Sequence, residues 1–160
     1  MGVEMAKWIV GRGLDEYMAK LGNLARESEE TCKRAGYEGA AIVANAIRSN
    51  IQALPTGQFR EGKLTAPQKA GLLEGLGITH FRNDSGFIHV KIGMDGYNST
   101  VNKAFPKGQP NALIARTIES GTSKIPKHPF IAPAVSKTKR QAEERMKQVV
   151  EQEISEKMGV

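Results

Sequence analysis

Hydrophobic residues between positions 14 and 54 recur with the spacing of an amphipathic helix. The apolar or small residues are Leu14, Met18, Leu21, Ala25, Cys32, Ala35, Val43, Ile47, Ile51 and Leu54. Intervals of three and four residues place such side chains on one helical face. Because glycine costs about 1 kcal/mol relative to alanine inside a helix, Gly22 predicts a break or kink. The longer helix is then predicted to run from about Glu27 to Ala53.

Two short segments in the middle of the chain alternate apolar and polar residues. Residues 76–81 and 87–94 both follow the two-residue period of a half-buried strand. The residues Asn83-Asp84-Ser85-Gly86 between them favour a tight turn. The pattern therefore predicts an antiparallel hairpin, in which His80 and His89 are candidates for cross-strand neighbours.

Polar stretches flank this hairpin. Residues 57–71 and 95–111 lack a useful period and contain glycine and proline, so they are predicted to be long, mobile loops. Residues 112–120 fit a short helix that Asn111 caps and Gly121 ends, with a strand as the alternative for the same segment.

Pro133 fits the first turn of a final helix. The apolar stripe of that helix consists of Val135, Ala142, Met146, Val149, Val150 and Ile154. Together the elements predict an α+β fold, with a small antiparallel β-sheet including a central hairpin, packed against a long N-terminal helix and a C-terminal helix. A chain of 160 residues is predicted to form one domain over 1–160, with its core at about 13–155.

The composition is that of an ordinary globular protein. Hydrophobic residues make up 39% and charged residues 25% of the chain, and no apolar run approaches the roughly 20 residues of a membrane span. The first residues do not have the pattern of a signal peptide. Without an apolar run of that length, we expect no contact with a membrane. Cys32 has no second cysteine to pair with, so we expect synthesis in a reducing cytoplasm.

Positive charge is concentrated in the second half of the chain. The formal net charge is +6, and residues 102–127 carry five lysine or arginine residues against Glu119 alone. Phe105 is the only aromatic residue among these cations, whereas platforms for single strands need several. The spacing of a helix-turn-helix or a zinc finger is absent. The sequence therefore permits non-specific proximity to DNA but does not predict sequence-specific recognition.

The stretch IESGTSKIPKHPFIAPAV, residues 118–135, mixes serine, lysine and histidine. Its spacing does not match a phosphate-binding loop, which needs G-x-x-x-x-G-K-[ST] between a strand and a helix. Cys32, His80, His89 and His128 lack the spacing of metal ligands, and serines near a histidine in sequence do not make a triad. We therefore predict no catalytic residue, no metal and no cofactor.

A stiff structural joint is the better interpretation of this stretch. Gly121 is expected to end one helix and Pro133 to begin the next, while Phe130 plugs the core and Glu119 is a candidate polar anchor. The predicted joint residues are Glu119, Gly121, Thr122, Ser123, Pro126, Pro129, Phe130 and Pro133.

Four segments in order resemble a family of phage proteins. They are GLDEYMAKL, ALPTG, IGMDGYN and KGQPNALIARTIESGTSKIPKHPFIAPAV. The family is that of phage tail-completion proteins, typified by the tenth gene product of a lambda-like coliphage with a long non-contractile tail. Its members have a P-x-TG turn, a hairpin, an A-x-x-[IV]-E-x-GTS segment and a PF-x-x-PA segment before a terminal helix. The last two resemble residues 115–123 and 129–134 here, and the likeness covers about residues 13–150.

This resemblance implies a structural virion protein and not an enzyme. Such proteins form a ring, commonly sixfold, that ends the tail tube at its head-proximal end and meets the head connector. The implied partners are other copies of the chain, the tail tube protein and the head connector or stopper protein. The implied location is the neck of the virion, after assembly in the host cytoplasm.

The loops 57–71 and 95–111 become candidates for contacts between subunits or with the tube. Since DNA passes through such a ring, basic residues are candidates for its interface or lumen, namely Arg60, Lys63, Lys69, Lys103, Lys107, Lys124 and Lys127. A head-side stopper protein and a small basic nucleic-acid-binding protein remain the alternatives.

One departure from the family pattern is visible. Family members often follow the TG with a short L-R-x-S-I strand start, whereas GQFREGKLTAPQKAGLLEGLGI intervenes here. The insertion predicts an enlarged loop and leaves the start of the first hairpin strand open.

Overall fold

The structure is a computed structural model that describes residues 12–159, excepting the side chains of residues 12–20, 22, 24, 25 and 87. Within that range the chain forms four α-helices and four short strands. They are α1 Arg12–Ala53, α2 Ala66–Gly75, β1 Leu76–Ile78, β2 Arg82–Asp84, β3 Phe87–His89, β4 Ile92–Met94, α3 Asn111–Ser120 and α4 Ile131–Met158. This architecture confirms the predicted α+β class. Three positions of the predicted helix stripe, Leu14, Met18 and Ala25, have side chains outside the described set.

The two long helices pack side by side in opposite directions. Lys157 in the last turn of α4 pairs with Glu27 of α1, whereas Asn50 near the end of α1 donates a 3.0 Å hydrogen bond to the carbonyl of Phe130. The predicted break at Gly22 is wrong, because α1 is continuous over its 42 residues. One internal glycine costs only about 1 kcal/mol, which the surrounding helical turns tolerate.

Small residues on α1 permit its close approach to α4. A Cβ at Gly39 would lie 2.7 Å from Cγ of Met146. Ala35 and Ala40 on the same stretch are buried. Ion pairs flank this seam, including Arg145 Nε with Glu38 at 2.7 Å and Lys157 with Glu153 at 3.2 Å. Such partly buried pairs gain little once the cost of desolvating both charges is counted, so we expect the packing of the seam to contribute most of its stability.

The main core lies where α1, α2, α3 and the start of α4 meet. Its buried members are Ile47, Ile51, Leu64, Leu72, Leu76, Ile114, Ala115, Ile118, Phe130 and Ala134. The predicted stripe of the last helix is partly correct, because Ala142 and Val149 are buried but Val135 and Ile154 are exposed. Ala134 and Thr138 take the buried positions instead of Val135.

Because the buried face of α4 includes the polar residue Thr138, a pattern of hydrophobic residues does not identify that face correctly. Its hydroxyl donates a 2.7 Å hydrogen bond to the carbonyl of Ala134 within the same helix. A satisfied hydroxyl can be buried at small cost. A pattern that counts threonine as polar therefore begins the buried stripe of α4 at Val135, one residue after the true position, Ala134.

The predicted hairpin is present as two successive antiparallel ladders. Strands β1 and β4 pair Leu76 with Met94, and β2 and β3 pair Arg82 with His89. The prediction that His80 faces His89 is therefore wrong. The turn is also tighter than predicted, because only Ser85 and Gly86 connect β2 to β3, both with positive φ. Positive φ at both central residues is the requirement of a type I′ turn, whose twist suits a hairpin.

The prediction of a loop over 57–71 is wrong in its second half. A 3-10 turn occupies Phe59–Glu61, and α2 begins at Ala66. Thr65 and Gln68 form a capping box, in which the Gln68 side chain accepts from the Thr65 N–H at 3.0 Å. The T-x-x-Q spacing of such a box is visible in the sequence and was the overlooked signal. The segment 57–78 thus contains the 3-10 turn, α2 and β1, so the expectation of one enlarged loop there is wrong.

The loop predicted over 95–111 contains no helix or strand over residues 95–110, but its last residue, Asn111, begins α3. The helical alternative for 112–120 is confirmed, and the strand alternative is wrong. Pro110 and not Asn111 occupies the N-cap. The buried Asn111 side chain instead donates a 2.8 Å hydrogen bond to the Asp95 carbonyl, which ties the start of α3 to the end of the hairpin.

At Gly71, α2 packs closely against the loop that follows β4. A Cβ at Gly71 would lie 2.6 Å from Cβ of Asn98 and would also meet Oδ1 of Asn111. We expect Gly71→Ala to lower the free energy of unfolding by about 1–3 kcal/mol, as overpacking does, despite the better helix propensity of alanine. Gly77→Ala is the control, because nothing lies within 4 Å of a Cβ there. Equal stabilities of the two variants in urea unfolding would contradict this packing.

Candidate functional site

The predicted joint is built around the carboxylate of Glu119. Its Oε2 accepts hydrogen bonds from the backbone N–H groups of Phe130 at 2.7 Å and Ile131 at 2.8 Å, and its Oε1 accepts from Ala132 at 2.8 Å. These N–H groups lie at the N-terminus of α4, where an α-helix leaves its first donors without intrahelical acceptors. Glu119 in the last turn of α3 therefore caps α4 across the loop, and its negative charge also complements the helix dipole.

The loop between these helices closes on itself. Gly121 has φ 68°, and a Cβ there would lie 2.9 Å from both the Ile125 carbonyl oxygen and the Lys127 nitrogen. The Thr122 hydroxyl accepts from the N–H groups of Lys124 and Ile125 at 3.2 and 3.0 Å. Glycine is suited to this position because it alone adopts positive φ without strain. The loop is a compact turn and not an open phosphate cradle.

The other joint residues divide between core and surface. Phe130 is only 1% exposed and packs in the main core, and Pro133 lies in the first turn of α4. Pro129 and Ser123 are exposed. The carbonyl of Pro126 faces Gly62, where a Cβ would lie 2.5 Å from that oxygen, so the joint packs against the 3-10 turn.

The cationic candidates surround the joint and its neighbouring loops. Lys69 is half-buried, and its ammonium donates to the carbonyls of Gln52 and Leu54 at the end of α1. Lys63 pairs with Glu61 at 3.1 Å. The remaining candidates are exposed, namely Arg60, Lys103, Lys107, Lys124 and Lys127. Two of the seven predicted residues thus have a role within the fold.

Exposed apolar residues form a second feature, which the sequence interpretation missed. Tyr97 is 67% and Val101 63% exposed in the loop after β4, and Leu113 on α3 is also exposed. A separate apolar feature is a groove of about 310 Å³ between α3 and β4. Its lining includes Leu76, Met94, Ala115 and Ile131, with Arg116 among its polar residues. Which apolar side chains stay exposed depends on packing, so the sequence pattern alone does not identify them.

The histidines do not combine into a chemical site. Among the described residues, no group of three or more His, Cys, Asp or Glu side chains could hold a metal ion. His89 Nε2 lies 2.7 Å from Asp84 Oδ2 near the hairpin turn. That hydrogen bond, supported by the charges of His89, Arg82 and Lys91, lowers the pKa of Asp84. Cys32 is half-buried in a groove between α1, α4 and the hairpin.

The comparisons with known proteins do not extend the resemblance to tail-completion proteins. No family model, no curated protein and no solved structure matches the chain. Within the described residues, no helix combines the length and the apolar character needed to cross a bilayer. The family likeness therefore rests on the four sequence segments and their order.

Proposed function

We propose that this protein completes the head-proximal end of a phage tail. In this proposal several copies, six in the usual arrangement, form a ring that stops growth of the tail tube and joins it to the head connector. The observation that carries the proposal is the ordered set of family-like segments, which ends in the long stretch over residues 107–135. The protein acts as a structural part, without chemistry of its own.

The geometry of the joint supports a structural role. A ring closes only if the rotation between neighbouring subunits is fixed, so each subunit must hold its contact surfaces in a constant relation. Glu119 fixes α4 relative to α3 through three backbone hydrogen bonds, and Phe130 anchors the same corner in the core. The most family-like part of the sequence thus forms a rigid corner.

The exposed loop after β4 supports contact with another protein chain. Tyrosine is enriched at protein–protein interfaces, and Tyr97 and Val101 project from a loop whose base is fixed by buried Asn98.

The start of α1 extends beyond the part of the helix that packs against α4. Since Glu27 already pairs with the last turn of α4, residues 12–26 continue past that turn for about 22 Å at 1.5 Å per residue.

The direct test is assembly on tail tubes. Purified protein is mixed with the tube protein of the same phage and examined by negative-stain microscopy and mass measurement. Rings at one end of tubes of uniform length are the expected result. Rings that bind only the head connector would favour a stopper protein. A monomer at every concentration, unchanged by tube protein, would contradict the proposal, whereas a monomer without tubes would not.

Replacing Tyr97 and Val101 together by serine tests the loop as a contact. We expect loss of ring assembly, because both side chains are exposed in the single chain and available to a neighbour. The free energy of unfolding of the monomer should change by no more than about 0.5 kcal/mol. Ile154→Ser is the matched control, since Ile154 is an exposed apolar residue near the far end of α4. Assembly by the double variant as efficient as by wild type would remove the loop from the interface.

A further inference from the structure

Most of the net positive charge of this protein lies in three adjoining segments of the fold. Segments 54–75, 96–110 and 121–130 hold seven lysine or arginine residues against two glutamates, and so carry five of the six net positive charges. In contrast, α1 has six residues of each sign between positions 12 and 53. Helix α4 has six positive and five negative residues between positions 131 and 158, so both long helices are nearly neutral and the net charge is unevenly distributed.

These three segments adjoin one another in the fold. Gly62 faces Pro126 and His128, which brings the 3-10 turn against the joint. Gln68 at the start of α2 donates a 2.9 Å hydrogen bond to Gln109, and Gly71 faces Asn98. Segment 54–75 therefore lies between the other two segments. We call the exposed surface of the three segments the basic loop surface.

Among the residues that the structure describes, the lysines of the two outer segments have no counter-ion. Lys103, Lys107, Lys124 and Lys127 are exposed, and in the range that the structure describes no carboxylate forms an ion pair with any of them. Glu119 is the only acidic residue between positions 96 and 130. Both of its carboxylate oxygens accept hydrogen bonds from the N-terminus of α4. Its charge is thus committed to the fold and not to these lysines.

We propose that the basic loop surface binds the phosphate backbone of duplex DNA without reading its sequence. Lysine is a flexible point charge that suits phosphates of any sequence, whereas it is depleted from protein–protein interfaces. Phe59 and Phe105 are half-buried and Phe130 is buried, which leaves Tyr97 as the one exposed ring of this surface, whereas a platform for single-stranded bases needs several. Such binding is a property of the single chain and does not depend on ring formation.

Salt-dependent binding of a fluorescent duplex of mixed sequence tests this inference. Fluorescence anisotropy is measured between about 50 and 200 mM salt, because each phosphate contact adds about 0.9 to the slope of log Kobs against log salt. The four-lysine variant combines Lys103→Gln, Lys107→Gln, Lys124→Gln and Lys127→Gln. We expect its slope to be smaller by about 3–4 and its affinity at about 50 mM salt to fall at least tenfold.

The matched control removes the same charge from the long helices. It combines Lys33→Gln, Lys137→Gln, Lys139→Gln and Lys147→Gln, and should retain affinity within about threefold of wild type. Thermal unfolding checks that both variants fold. No binding by wild type at the lowest salt, or equal losses in both variants, would overturn the inference.

Two further arms identify the ligand. Single-stranded DNA of equal length should bind no more tightly than the duplex, and tighter binding would overturn the assignment to duplex. Polyglutamate is the probe for an acidic protein surface, and binding to it but not to DNA would also overturn it. A four-lysine variant that loses DNA binding yet still forms rings on tail tubes separates this surface from the proposed assembly function.

Discussion

Phe130→Ala is expected to lower the free energy of unfolding by about 3–5 kcal/mol, a greater loss than we expect from substitutions at Glu119 or Gly71. Phe130 is 1% exposed and packs with Ile51, Leu64 and Ile118 in the main core. Removing its ring takes away the apolar contacts and leaves a cavity that the neighbouring helices cannot fill. Urea unfolding followed by circular dichroism measures the change.

Two companion substitutions make this result interpretable. Phe130→Leu keeps much of the volume and should cost less than half as much as the alanine variant. Tyr97→Ala removes an aromatic ring that is 67% exposed and should change stability by no more than about 0.5 kcal/mol. A near-neutral Phe130→Ala would contradict the core position of Phe130, as would a cost equal to that of Tyr97→Ala.

Glu119→Ala is expected to destabilise the protein by about 2–3 kcal/mol, the second largest effect. The substitution leaves the N–H groups of Phe130, Ile131 and Ala132 without their acceptors and removes a negative charge from the positive end of α4. Because water can replace the acceptor at exposed Ala132 but less readily at Phe130, the cost is smaller than three full hydrogen bonds.

The location of this effect can be measured as well as its size. Amide hydrogen exchange of residues 130–132 should accelerate in Glu119→Ala while the ladder between β1 and β4 keeps its protection. Glu119→Gln retains one acceptor oxygen and should lose about half as much stability. Glu74→Ala, at an exposed site on α2, is the charge control and should be nearly neutral. An equal loss in Glu119→Ala and Glu74→Ala would refute the capping role.

The proposed assembly contact and the proposed DNA-binding surface involve the same loop. Tyr97 and Val101 lie in the same loop as Lys103 and Lys107, so one loop would contact a neighbouring subunit and a phosphate backbone. The serine and glutamine variants change different side chains of that loop. Measuring each variant in both the assembly assay and the DNA-binding assay shows whether the loop contacts one of these partners or both.

Local sequence signals were sufficient for most of the secondary structure. The periodic apolar residues of α1 and α4 and the alternation around the hairpin each produce their element through nearest-neighbour geometry, so their existence and order were predictable. Gly121 likewise marks the end of α3 because only glycine readily adopts its backbone angles. The loop prediction over 66–71 failed although the capping box of Thr65 and Gln68 was present in the sequence.

Tertiary structure alone decided which side chains meet. Residue patterns along the chain were enough to predict the α+β class, the order of long helix, hairpin, short helix and long helix apart from α2, and the excess of positive charge. Only the fold placed the Glu119 carboxylate at the N-terminus of α4, buried Thr138 in place of Val135, and left Tyr97 exposed. The physical reason is the separation in sequence of the residues that interact. Periodicity and turn chemistry involve residues a few positions apart, whereas capping across a loop, burial and charge pairing involve residues that only packing brings together.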